Sequence, residues 1–528
     1  MEPHNLKEAE IITDNSQVEA ENKSKKRKAF VKNVANNSDN KISHVYISFK
    51  SLSIKNSFLE WSQTVTCHCF PKVFYKKTHL AIKCVWALIF LLFLTTTFFV
   101  LVNIVISYFQ YNVVSSISVI NERPSLFPVV TICNSNPFTT KEAENLIRNL
   151  SIDNFEKNLE NVGYYEFLSY RNDLNELTKQ YVNAPNYEEE NKKSLGFNLS
   201  QIINSCYFNQ EKCNWTNEFH WVFNYEYGNC YQFNSGLSMP NKPVDLKKQV
   251  LGGDLYGLSI TLGPLINENK IPLTNNKGLK VFIHNQSFQP AIDDNFLSVE
   301  AGTETSIAIE RIFLFNAPKP YSDCTDLTNG YDSDLFMFIK NSNKTYRQQD
   351  CFDLCFQQLI NLKCQCLYTR YPVLYNIVSC FNSSQAYCIS NLKSDYFRNQ
   401  LKYVNYCSQK CPLECNQIKY ENLLTSLKYP SIEEYIFGVN NQLDFNSTQN
   451  YTNLSDFNLN QESFFSLKVF YSTTKYSLIT ESPQMTIAGL LSSLGGSLGM
   501  FLGLSVFSFL ELFEIFFKII FILFFQKS

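Results

Sequence analysis

GGSLGMFLGLSVFSFLELFE, residues 495–514, is apolar enough for a lipid bilayer, yet it carries four glycines and closes on Glu511 and Glu514. Laid on a helix, Ser492, Gly496, Gly499, Gly503, Phe507, Leu510 and Glu514 recur at steps of three or four. They form one stripe that starts small, turns bulky and ends on a carboxylate. Glycines at i and i+4 (Gly495, Gly499, Gly503) suit close packing of membrane helices, a purely structural reading. Glu511 and Glu514 favour a pore instead, because ionised groups beside lipid are costly and usually face water or a partner charge. Lys518 stands at i+4 to Glu514 and offers a structural ion pair. Glycine also leaves helical geometry cheaply. A break at Gly503-Leu504-Ser505 would release carbonyls that, with the Ser505 hydroxyl, replace part of a cation's hydration shell. One helix makes no hole, so such a channel requires an oligomer.

Outward from this stretch, Val85 to Ile106 is a second apolar run, 22 residues without a charge. At 1.5 Å per residue it covers the ~30 Å hydrocarbon layer. Lys72, Lys76, Lys77 and Lys83 precede it, and no Lys or Arg follows until Arg123, which places the N-terminus in the cytosol. The expected layout is a cytoplasmic N-terminus (1–79), a first transmembrane helix (80–108), an extracellular domain (109–484), a second transmembrane helix carrying the filter (485–525) and a cytoplasmic end (526–528). That describes a multi-pass plasma-membrane protein with both termini inside. MEPHNLKEAE has no apolar core, so no cleavable signal peptide is expected. The basic cluster KSKKRKAFVK (23–32) reads as a membrane-flanking cytoplasmic segment, with nuclear import or lipid binding as alternatives.

The chain has 528 residues, 15% aromatic and 18% charged, with a net charge of -2. It can bury a sizeable core, and nothing in its charge attracts nucleic acid. Of 17 cysteines, Cys67, Cys69 and Cys84 precede or enter the first span, and the other 14 lie between Cys133 and Cys415. An even number in an oxidising compartment allows complete pairing. Sequons at Asn149, Asn198, Asn214, Asn285, Asn343, Asn382, Asn446, Asn450 and Asn453 point the same way. Helix-favouring stretches fill 139–205, and alternating segments at 255–263, 279–285 and 305–315 read as half-buried strands. The cysteines crowded into 351–415 imply a stapled helical rod, so the loop is a mixed α+β domain. CFDLC with CQC (351–366) could hold zinc instead, but extracellular placement favours disulfides. With six histidines and no nucleophile elbow, H-E-x-x-H or P-loop, no enzyme and no cofactor are expected.

These motifs taken together resemble the degenerin and epithelial sodium channel superfamily, which includes acid-sensing and peptide-gated members. The matching elements are FPVVTICNSNPF (127–138), SCYFNQEKC and YGNCYQFNSG (205–236), PYSDC (320–324), YRQQDCFDLCFQQLINLKCQC (346–366), KCPLEC (410–415) and LLSSLGGSLGMFLGLSVFSFLELFE (490–514). The resemblance implies the pairs Cys133 with Cys230, Cys206 with Cys213, Cys324 with Cys415, Cys351 with Cys411, Cys355 with Cys407, Cys364 with Cys388 and Cys366 with Cys380. It also implies a trimer of two-helix subunits, homomeric or mixed with related subunits, each with finger, thumb, palm, knuckle and β-ball. Such a trimer passes Na+ as the permeant ion and is typically blocked by amiloride. The filter falls on Gly503, Leu504 and Ser505; Ser492, Gly496, Gly499, Glu511 and Glu514 take pore-lining or gate positions; Tyr111 and Tyr321 match aromatics that couple ectodomain to gate.

Two departures stand out. The family's cytoplasmic His-Gly motif appears as His68-Cys69. After Gln110-Tyr111 the acid-sensing members carry histidines and an aspartate, whereas this chain has Asn112, Val113 and Ser118, and an outer-mouth acid of some relatives is Ser493. Without those titrating groups a proton trigger loses part of its basis. The expectation is therefore a sodium-selective channel opened by an extracellular ligand, with a neuropeptide favoured over protons. A proton-gated or constitutively open sodium channel stands as the alternative within the family. Outside it, a two-span cysteine-rich cell-surface receptor would share the topology but has no need of glutamates after a glycine stripe. An ATP-gated trimer would require a lysine-rich nucleotide pocket.

Overall fold

A computed structural model of the chain describes residues 54–75, 78–151, 164–239, 241–263, 273–274, 276–286, 295–325, 333–341, 345–371, 378–380, 383–433 and 463–524. The basic cluster at 23–32 and the sequons at Asn343, Asn382, Asn446, Asn450 and Asn453 lie outside them. Two compact units result, Met1–Asn112 with Gln484–Ser528, and Val113–Pro483.

In the first unit, a helix over 54–64 and the short helix Phe70–Phe74 precede Leu80–Phe109. With 30 residues, Leu80–Phe109 is the one helix among the described residues that is long and apolar enough to cross a membrane. The second span expected over 485–525 is not one helix. Ile487–Leu502 ends at Gly503, and Val506–Phe524 begins after Ser505. The stripe from Ser492 to Glu514 is thus divided between two helices, and the phase counted through Gly503 does not carry across. Ile487–Leu502 packs along Leu80–Phe109, with the Phe93 and Phe501 ring centroids 6.3 Å apart.

The second unit is built on two sheets. The larger runs in the order Asn416–Lys428, Thr303–Phe315, Phe465–Pro483, Leu258–Leu262, Ile203–Phe208 and Glu211–Lys212, and Val113–Asn121 also pairs with Phe465–Pro483. Alternate residues of Thr303–Phe315 are buried over its first nine positions, the period-2 signature of a sheet with one face on the core. The smaller sheet, in the order Leu297–Val299, Leu279–His284, Val129–Asn134, Gly228–Phe233 and Phe219–Asn224, has two strands buried along their whole length, Val129–Asn134 and Gly228–Phe233. Ile307, Ile309, Leu467 and Val469 of the larger sheet share one core with Ile132, Phe233 and Phe127. Each such fully buried side chain contributes roughly 1.5–3 kcal/mol of transfer free energy. The helices Lys141–Leu150 and Tyr164–Val182 lie in the 139–205 region, the first capped by Thr140, whose side chain accepts from the Ala143 amide.

Seven disulfides close the unit: Cys133–Cys230, Cys206–Cys213, Cys324–Cys415, Cys351–Cys411, Cys355–Cys407, Cys364–Cys388 and Cys366–Cys380. Cys351 and Cys355 stand one turn apart on Gln348–Cys364, and their bonds to Cys411 and Cys407 staple that helix to the region of Gln400–Ser408. All four thiols of CFDLC and CQC are consumed in this way, so the zinc alternative is excluded there. Replacing Cys355 and Cys407 together by serine removes one of two adjacent staples while Cys351–Cys411 still closes the surrounding loop, and is expected to destabilise the unit by roughly 2–3 kcal/mol. Thermal unfolding of the full chain in detergent would read this, and an unchanged midpoint would contradict it.

Candidate ion-conduction segment

The apolar C-terminal segment starts at Thr486, whose hydroxyl accepts from the Gly489 amide at 3.1 Å, an N-cap that fixes where the helix begins. After sixteen helical residues Gly503 takes φ +67°, and its amide and that of Leu504 fold back on Gly499 and Leu498 at 3.0 and 3.2 Å. This is a glycine-capped C-terminus in left-handed conformation, which other residues adopt only with strain. The next helix is nucleated at once. The Ser508 hydroxyl accepts from the Ser505 amide at 3.0 Å while the Ser508 amide donates to the Ser505 carbonyl at 3.0 Å, a reciprocal cap of the capping-box kind. Among the described residues, no hydrogen bond is made to the carbonyl oxygens of Gly503 or Leu504.

The N-terminal segment meets this break. The His68 amide donates to the Leu502 carbonyl at 2.7 Å, and Thr66 donates to Glu511 Oε2 through its amide at 3.0 Å and its hydroxyl at 3.2 Å. The Thr66 and Ser508 hydroxyls are 2.7 Å apart. His68 also covers Gly503, where an added Cβ would lie 1.4 Å from Nδ1. Position 503 therefore needs glycine twice, for its dihedral and for the imidazole. Cys69 follows at φ +67°, so a thiol residue occupies a left-handed position that glycine would fill without strain.

Of the residues singled out from sequence, Ser492 and Gly496 are exposed in the single chain and Gly499 is half-buried. A Cβ at Gly495 or Gly496 would meet nothing within 4 Å, so these glycines do not serve helix packing within the chain. Glu514 pairs with Lys518 at 3.3 Å, both largely exposed. Tyr111, at φ +52°, lies against the rings of Tyr108 and Phe109. Tyr321 sits in the turn before Cys324, its amide donating to the Pro318 carbonyl at 3.1 Å. Sequence reasoning missed Thr66, Ser508 and the Leu502 carbonyl. Only Ser505-x-x-Ser508 carried a visible signal, as a cap.

A polar network in the other unit was also missed. The Tyr225 and Tyr368 hydroxyls both donate to Glu176 Oε1, Lys393 donates to the Tyr368 hydroxyl at 2.6 Å, and Glu226 receives Lys179 and Arg370. Burial pushes the Glu176 carboxyl up, but Lys393, Tyr368, Lys179 and Tyr225 outweigh it and hold Glu176 below its ordinary value. Burial and Glu176 together push both tyrosines far up, so they remain donors.

Gly503→Ala is expected to lower the unfolding midpoint of the full chain in detergent, and Gly503→Ala with His68→Ala to recover part of it, since the pair removes the overlap but not the backbone strain. Equal midpoints for the single and double variants would contradict that account. Cys69→Gly is expected to raise thermal stability by about 1 kcal/mol, the ~1–2 kcal/mol relief of a left-handed L-residue less the greater chain entropy of glycine.

The family model described as amiloride-sensitive sodium channel matches residues 61–515. The chain is similar to the epithelial sodium channel gamma subunit of Neoceratodus forsteri, 30% identical over 336 residues that make up 62% of this chain and 47% of that one. It is likewise similar to the beta subunits of Bos taurus, 30% over 346 residues, 64% and 50%, and Homo sapiens, 31% over 321 residues, 60% and 47%. The chain spans about half the length of these relatives. A cryo-EM structure of a proton-activated chloride channel covers 82% of this chain and 97% of its own at 6% identity, with a TM-score of 0.29 too low to bear on the fold. With its family match running over most of its length, the chain belongs to the amiloride-sensitive sodium channel family, within the degenerin and epithelial sodium channel superfamily.

Proposed function

We propose that the chain is a subunit of a trimeric, amiloride-sensitive, sodium-selective channel in the plasma membrane, homomeric or mixed with related subunits, and opened by an extracellular ligand. The observation that carries this reading is the break at Gly503–Ser505. It leaves the Gly503 and Leu504 carbonyls without a hydrogen bond among the described residues and the Ser505 side chain exposed, in an apolar segment. Three such breaks around an axis supply stacked oxygens in place of a hydration shell. Glu511 and Glu514 follow within three turns and give the same path its negative potential.

A ligand, with a peptide as the favoured class, fits better than a proton as the trigger. Asn112, Val113 and Ser118 do not titrate, and the Glu176 network is set against acid. Because Glu176 titrates below its ordinary 4.5, what it adds to stability is complete above that value and is lost only as pH falls further.

Two-electrode recording from oocytes expressing the chain, alone and with related subunits, tests both parts. Amiloride is expected to block a current that reverses near the sodium potential and shifts with external Na+, and Ser505 substitutions are expected to change the Na+/K+ preference. Steps from pH 7.4 to 5 are expected to open nothing, whereas a peptide library yields an agonist. A large acid-evoked current would replace the ligand reading with the proton one, and an unchanged preference in an active Ser505 variant would remove the filter assignment.

A further inference from the structure

The strand Leu279–His284 runs out into Asn285, acceptor of the sequon Asn285-Gln286-Ser287. Asn285 also lines a half-open cavity of about 770 Å³ bordered by the smaller sheet, the strands Thr303–Phe315 and Asn416–Lys428, and the residues entering the helix Gln348–Cys364. That volume falls among those of organic-ligand cavities, roughly 300–1,000 Å³, and far exceeds the ~30 Å³ share of one water.

The lining selects the chemistry of a guest. Its lining charges balance in number, Arg347 and Lys419 against Glu414 and Glu421; Arg347 also holds Asp350 through Nε at 3.1 Å and Nη2 at 2.6 Å, and Glu414 accepts from the Gln348 amide at 2.9 Å. What remains is aromatic rings, among them Phe296 and Phe313, and side-chain amides, among them Asn295, Asn416 and Gln417. Amides offer both donors and acceptors, and rings pack against C–H faces. A neutral guest that combines hydroxyls with C–H faces is a sugar.

The attachment point is fixed for such a guest. His284 is 4% exposed, and burial lowers it to a pKa of about 4, so it is neutral at pH 7. Its Nδ1 donates to the Asn285 carbonyl at 2.9 Å, and Nε2 accepts from the Thr131 hydroxyl at 2.8 Å. The Asn285 Oδ1 accepts from the Gln286 amide at 2.7 Å, and no bond to Nδ2 is made among the described residues. Nδ2 is the nucleophile of N-glycosylation.

We propose that an N-linked glycan on Asn285 folds back into this cavity as a wedge between the smaller sheet and the paired strands Thr303–Phe315 and Asn416–Lys428. Attachment forms a bond from Nδ2 to C1 of an N-acetylglucosamine carried on a lipid diphosphate; Nδ2 loses a proton and the lipid diphosphate leaves. The proposal rests on the extracellular placement of residues 109–484.

Glycopeptide mass spectrometry on the full chain purified from mammalian cells, before and after native treatment with peptide N-glycosidase F, tests it. Asn285 is expected to be occupied and released at least about ten-fold more slowly than the occupied sites among exposed Asn149, Asn198 and Asn214, with the difference abolished by denaturation. Ser287→Ala, which keeps Asn285 but removes the sequon, is expected to lower the melting midpoint. Release at the rate of the exposed sites, an unchanged midpoint, or an unoccupied Asn285 would each overturn the proposal. Absence of glycan from all four positions would also overturn the extracellular placement, whereas absence from Asn285 alone would not.

Discussion

The bond from the His68 amide to the Leu502 carbonyl is the contact on which the terminal unit depends. Inside a helix each carbonyl has a donor four residues on, and the left-handed turn at Gly503 removes it. Leu502 is 5% exposed, and a buried carbonyl left without a partner costs about 1–3 kcal/mol. A segment far away in sequence supplies the donor, and Thr66 then engages Ser508 and Glu511 on the following helix. The break is therefore bound on both sides. It is a defined corner rather than a loose joint, and the glutamate nearest to it is oriented by hydrogen bonds.

The second unit answers a different constraint, because its chain must enter and leave next to one another. Val113–Asn121 pairs with Phe465–Pro483 along its whole length, from Val113 opposite Pro483 to Asn121 opposite Lys475. The strand Thr303–Phe315 lies parallel on the other side of Phe465–Pro483, with a register shift between Ile309 and Arg311. At that irregularity Arg311 turns inward, 5% exposed, bound to Glu122 and lying over the rings of Phe313, Tyr471 and Tyr476. A desolvated guanidinium gains from ring faces by about 0.5–2 kcal/mol each, but removing its one carboxylate would leave a buried charge. Glu122 stands one residue past the first strand, so this ion pair locks the entering strand, the exiting strand and Thr303–Phe315 into one body.

How much of this the sequence disclosed depended on the range of the interaction involved. Leu80–Phe109 and the alternating strands were readable because burial repeats locally, at period 2 for Thr303–Phe315 and as an unbroken apolar run for the helix. The glycine break was readable because Gly503 has no side chain to hold it in a helix. Its consequence was not: nothing in TVTCHC announces that Thr66 and His68 bind a helix hundreds of residues away. The same limit hid the Glu176 network, whose members come from four separated segments. Disulfide connectivity was out of reach of spacing altogether, since Cys351 and Cys355 differ in partner only by a helical turn. The stripe ending at Glu514 failed for a related reason, since helical phase was counted through a residue that leaves the helix.

The Glu176 network bears on what kind of event can move the elements it joins. Glu176 comes from Tyr164–Val182, Tyr225 from the turn after Phe219–Asn224, and Lys393 from Ser383–Arg398, so the network ties a helix, a hairpin and the stapled rod. Two carboxylates face three cations, Lys179, Arg370 and Lys393, an excess of positive charge that opposes proton uptake. A proton would have to neutralise Glu176 against all of these partners at once.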